Sequence, residues 1–92
     1  MPFTAVFGDG PHVRVFDFLL EADGPDHTIS DIARGAHVAR PTVYKVVGDL
    51  LDAGLLSETR TVGNSRFFAL NERSRAVRAL AKAAPHVRAV PS

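Results

Sequence analysis

The 92-residue chain contains no cysteine. Disulfides and thiolate metal sites are therefore excluded. The opening Met1-Pro2-Phe3 has no basic region followed by a long apolar run, so neither a signal peptide nor a membrane span is expected, and the cytoplasm is the expected compartment. The histidines His12, His27, His37 and His86 are scattered, with no HxxxH or HExxH spacing. No Ser-His or paired-carboxylate arrangement stands out. We therefore expect no catalytic residues, no metal and no cofactor, and so small a domain has little room for a sizeable pocket. Gly8 and Gly10 are followed by neither a third glycine nor a Lys-Ser/Thr pair, which argues for a turn and against a phosphate loop. Repeats and low-complexity tracts are absent too.

What is present fits one packed domain, with 46% hydrophobic residues. A chain of this size buries only roughly 60–65% of its unfolded surface, so association with a second copy would help it. The net charge of +1 is unevenly spread. Residues 1–33 carry one basic residue against six acidic ones, residues 34–66 five against three, and residues 67–92 five against one. Positive charge rises where the most structured stretch begins.

That stretch runs from Thr28 to Leu51 and reads as two helices joined by a tight turn. Thr28 is placed to cap the first, with Asp31 answering as a weak capping box. Ile29, Ile32, Ala33 and Ala36 recur at helical spacing and form one buried face. This helix should end near Gly35-Ala36-His37, with Val38 filling the gap. The second begins near Ala39-Arg40-Pro41, where proline suits the first turn. Val43, Val46, Val47 and Leu50 make its inward stripe, which leaves Arg40, Thr42, Tyr44 and Lys45 on other faces. This is the layout of a helix-turn-helix.

Around it, residues 1–10 read as an N-terminal arm or short strand, residues 11–84 as the domain and residues 85–92 as a loose tail. Pro11 to Ala22 reads as a helix whose apolar residues exceed one stripe. Val15, Phe16, Leu19 and Leu20 suit the core. Val13 and Phe18 then need other cover, from a partner subunit or from the arm. Asp23 to His27 is a connector. Gly54 closes the second motif helix. Two β-prone runs around Gly63-Asn64-Ser65 make a hairpin, with Phe68 and Leu70 inward and Arg60 and Arg66 flanking the tip. A last helix, capped by Asn71 or Ser74, carries Val77, Leu80, Ala81 and Ala84 on one stripe, and Pro85 stops it.

The order helix, short helix, turn, helix, hairpin, helix is mainly α with a small β-hairpin, an α+β class. From Gly8 to Ala84 it resembles small winged helix-turn-helix transcriptional regulators of the kind common in archaea, related to the ArsR and MarR groups. The carrying residues are Thr28 to Ala33, Arg40 to Val47, Asp49 to Leu56, and the wing-like Glu58 to Asn71. Such regulators often have glycine where this chain has His37, a residue type that tolerates positive φ. They often cap the second motif helix with serine where this chain has Ala39.

The resemblance implies double-stranded DNA as partner and a dimer as the acting form. The recognition helix would offer Arg40, Pro41, Thr42, Tyr44 and Lys45 to a major groove. Arg60, Asn64, Ser65 and Arg66 of the wing would meet a minor groove or phosphates, and Thr28 would lie at the helix cap. Ordinary alternatives stay open: Tyr44 packed inward, or Arg60 and Arg66 as a cross-strand solubility pair. The dimer interface would use Val13, Phe18, Val77, Leu80 and Ala81, and the arm with them. A different class of function also fits, a winged-helix module that binds protein without reading DNA. The residues name no small-molecule effector.

Overall fold

In a computed structural model the described residues are 2–86. Most of the expected tail, residues 87–92, lies outside them. Pro85 and His86 belong to a 3₁₀ turn, Ala84–His86, that ends the last helix.

The helix-turn-helix forms for local reasons. Thr28 caps α3 (Ile29–Ala36) with a complete capping box: Asp31 N–H donates to Thr28 Oγ1 at 3.2 Å, and Thr28 N–H donates to the Asp31 carboxylate at 3.1 Å. His37 ends α3 in the left-handed conformation, φ 56° and ψ 47°. Arg14 donates to the Ala36 carbonyl at 2.9 Å, placing a cation where the helix dipole is negative. After Val38, α4 (Arg40–Asp52) starts at Ala39, which supplies no side-chain cap. Gly54, at φ 74°, closes it, with Gly54 N–H donating to the Leu51 carbonyl and Leu55 N–H to that of Leu50, the paired bonds of a Schellman ending.

A three-stranded antiparallel sheet in the order β1-β3-β2 flanks the helices. The hairpin of β2 (Leu56–Val62) and β3 (Ser65–Leu70) turns at Gly63, whose φ of 60° suits the first of two tip positions. β1 (His27–Thr28) is a strand only because Phe67 and Phe68 of β3 pair with it. It joins the end of the turn-rich connector, His27, to the expected helix cap, Thr28.

Two cores result. Val15 and Leu19 of α2 (Pro11–Glu21), Ile32 of α3, Val43, Val46, Val47 and Leu50 of α4, and Phe68 of β3 make the first. Each such side chain fully buried contributes about 1.5–3 kcal/mol. The second joins Phe3, Phe16 and Val77, with Val13, Leu20 and Leu80 packed against it. Phe3 comes from α1 (Pro2–Phe7) and Val77 from α5 (Arg75–Ala83). Ser74 caps α5 by accepting from Val77 N–H at 3.2 Å, while Asn71 instead donates to the Gly54 carbonyl.

Two expectations change here. The segment Phe3 to Phe7, marked by alternation as a strand or arm, is helical instead. The cause is Asp17, fully buried on α2, whose carboxylate accepts from Phe3 N–H at 3.2 Å, Thr4 N–H at 2.7 Å and Thr4 Oγ1–H at 2.6 Å. It satisfies the first-turn donors that a short helix leaves open. Second, Val77, assigned to a subunit interface, is buried within one chain, and Phe18, assigned to it too, is half-buried. Val77 is 4% exposed, and Phe18 lies between Gly35 and the His27 ring.

Candidate nucleic-acid interface

The inward stripe of α4 fixes what its outer face presents. With Val43, Val46 and Val47 locked into the first core, Ala39, Arg40, Pro41, Tyr44 and Lys45 are exposed and Thr42 is half-buried. Tyr44 is 59% exposed, so the inward alternative for it does not hold. The exposed first turn of α4 keeps backbone N–H groups without helical partners and the positive end of the dipole.

The β2–β3 tip stands beside this turn. Arg40 and Tyr44 of α4, Asn64, Ser65 and Arg66 of the hairpin, and Thr28 at the head of α3 line one open cleft of about 140 Å³. Six residues named from the sequence for nucleic-acid contact thus meet at one place, with Ser30 and Phe68 beside them. Pro41, Thr42, Lys45 and Arg60 are not among its lining residues.

The basic residues differ in what they already hold. Arg40 makes no ion pair among the described residues, which makes it the ready cation of the first turn. Lys45 donates to Asp49 at 3.2 Å along the helix, and His12 Nε2 lies 2.7 Å from the same carboxylate. The hydrogen bonds from His12 and then Lys45 hold Asp49 below the usual carboxylate range.

Arg66 grips Glu58 with two bonds, 2.9 Å from Nε and 2.8 Å from Nη2, and pushes the Glu58 carboxyl down. This pair is exposed on both sides. Exposed pairs of this kind add little stability in water, so an incoming phosphate can displace the carboxylate.

Arg60 is held otherwise. It donates to Asp26 from Nε at 3.0 Å and from Nη2 at 3.1 Å, with its guanidinium 4.3 Å from the centre of the Phe67 ring. The two wing arginines are therefore not a pair with each other. Each has its own carboxylate. Asp26 had no local signal in the sequence, because its partner lies 34 positions away.

Residues 13–60 match the family model of the IclR helix-turn-helix domain, which covers more than half of the chain and runs from α2 into β2. The ArsR and MarR resemblance led to the helix-turn-helix class, and the family that matches is the IclR one. No curated protein matches the chain.

Proposed function

The chain belongs to the IclR helix-turn-helix family, a DNA-binding class of transcription regulation, and from that premise we propose that it acts as a sequence-specific regulator in dimeric form. Under this reading the first turn of α4 enters a major groove. Arg40 takes a guanine edge or a phosphate, and Thr42 a base or a thymine methyl. Tyr44 and Lys45 reach the sugar-phosphate backbone. Asn64, Ser65 and Arg66 meet phosphates or the neighbouring minor groove.

The observation that carries it is the convergence of α4 and hairpin side chains on one open cleft around Arg40, which makes no ion pair among the described residues. Only Arg40 and Arg66 among the basic residues line the cleft of one copy, so a monomer would bind weakly with a shallow salt slope. Two copies double the contacts and read half-sites about 34–36 Å apart. An apolar groove of about 240 Å³, lined by Phe3, Phe7, Val13, Phe16 and Leu80 among others, supports pairing through α1, α2 and α5. Phe7 is 70% exposed beside it, and Ala81 is exposed on α5.

A second reading, a winged-helix module that binds protein, draws on the wing arginines both being engaged already. Substituting Arg40→Ala and Lys45→Ala separates the two. Lost duplex binding with an intact fold supports the regulator. A wild-type protein that binds no duplex at all supports the protein module.

A further inference from the structure

The strand β2 carries an irregularity that the winged layout alone does not require. Glu58 faces Phe68 and Arg60 faces Phe67, so Thr59 is an extra residue with no position opposite it in the register, although its hydroxyl also lies 3.3 Å from the Phe67 carbonyl. Such a bulge bends its strand and re-aims the residues beyond it. It also puts two successive side chains within reach of one group: Thr59 Oγ1 donates to Asp26 at 2.6 Å, and Arg60 grips the same carboxylate with two bonds. Asp26 lies just before β1, on the far side of β3, and its side chain is only 7% exposed. The carboxylate thus ties the bend in β2 to the body of the domain, across the strand that leads to the tip.

We propose that Asp26 is the positioning residue of the wing, and that Arg60 is a strut held by it and makes no contact with DNA. Beyond the bulge lie Gly63, Asn64, Ser65 and Arg66, the last three of which complete the cleft with Arg40. Fixing the bend fixes their distance from α4. The inference rests on the DNA-binding reading for its consequence and on the free protein for its geometry.

The two wing carboxylates then have opposite effects. Removing a negative charge near DNA by itself tightens binding. Glu58→Gln does so, because it frees Arg66 for phosphate, and it steepens the salt slope by about one unit. Asp26→Asn weakens binding, by about tenfold, the scale of one lost charge-assisted contact. Arg60→Gln weakens it similarly with no change in salt slope, whereas loss of a phosphate contact would lower the slope by about one.

The test pairs duplex titrations at several salt concentrations with amide hydrogen exchange of the free protein, on wild type, Asp26→Asn, Arg60→Gln and the exposed bulge variant Thr59→Val. Faster exchange confined to residues 59–67 in all three variants, with the α3 and α4 amides still protected and no slope change for Arg60→Gln, supports the proposal. Asp26→Asn binding as tightly as wild type or tighter overturns it, as does unchanged exchange in the hairpin. If wild type binds no duplex while the three variants loosen the hairpin, the regulator reading fails and the positioning role of Asp26 stands.

Discussion

The ring of Phe18 on α2 lies directly against the Cα of Gly35 on α3, so close that a side chain at position 35 would overlap it. The other side of the ring meets His27, with ring centres 5.3 Å apart and an interplanar angle of 65°. Glycine here has ordinary helical backbone, and its reason is space. In an open helix Gly→Ala would add about 1 kcal/mol of stability. Here overpacking opposes it at about 1–3 kcal/mol. Gly35→Ala is therefore expected to lower stability by up to about 2 kcal/mol, measured by urea unfolding. In a Phe18→Ala background the same change should be neutral or favourable. A plain gain in the wild-type background would show that α2 and α3 are not in this contact.

Ala39 sits at the head of α4 with extended backbone, φ −61° and ψ 142°, the conformation an N-cap needs, but offers no acceptor. Ala39→Ser should add about 0.5–2 kcal/mol to stability. The new hydroxyl also lies on the proposed groove-facing turn, so duplex binding should tighten. A melting temperature at or below that of wild type would mean that the α4 start is shaped differently.

Asp17 holds α1 by three hydrogen bonds from Phe3 and Thr4. Asp17→Ala leaves first-turn donors without a partner, at about 1–3 kcal/mol for each one kept buried. We expect α1 to undock, exposing Phe3 and Phe16. Proteolytic cleavage around Gly8–Gly10 should become fast while α3 and α4 keep their protection. Cleavage as slow as in wild type would contradict the docking role.

Acid should loosen the cap and the hairpin together. The backbone hydrogen bond from Thr28 is the main cause that lowers the Asp31 carboxyl, Arg60 that of Asp26, and Arg66 that of Glu58. A folded-state value below the unfolded one adds stability that is fully present above the ordinary carboxylate range of about pH 4. That stability is lost as pH falls through the lowered values. Urea midpoints should be flat from pH 7 to 5 and drop below about pH 4. Asp31→Asn, which removes the titrating group at the cap, should shrink the drop. A midpoint that rises on acidification would reverse the assigned signs.

The elements legible in the sequence are those made by near neighbours. Thr28 and Asp31 are three apart, and His37 tolerates positive φ on its own. The stripe of Val43, Val46, Val47 and Leu50 is a period that the core simply matches. The illegible ones depend on distant partners. The helix at Phe3 to Phe7 needs Asp17, β1 needs Phe67 and Phe68, and the orientation of Arg60 needs Asp26. At the site, exposure of Arg40 and Tyr44 comes directly from the stripe. The ion pairs that occupy Arg60 and Arg66 cannot be read from any spacing. The residues shared by helix-turn-helix regulators likewise identify the class more readily than the family within it.

Under the proposed function the first turn of α4, led by Arg40, reads duplex DNA. The most direct measurement is selection from random duplex pools at several salt concentrations, with wild type and Arg40→Ala in parallel. A two-fold symmetric site with half-sites about one helical turn apart should be enriched. Arg40→Ala should abolish or relax preference within each half-site while keeping the spacing. Enrichment of the same sequences by wild type and Arg40→Ala, or of none by either, would contradict it.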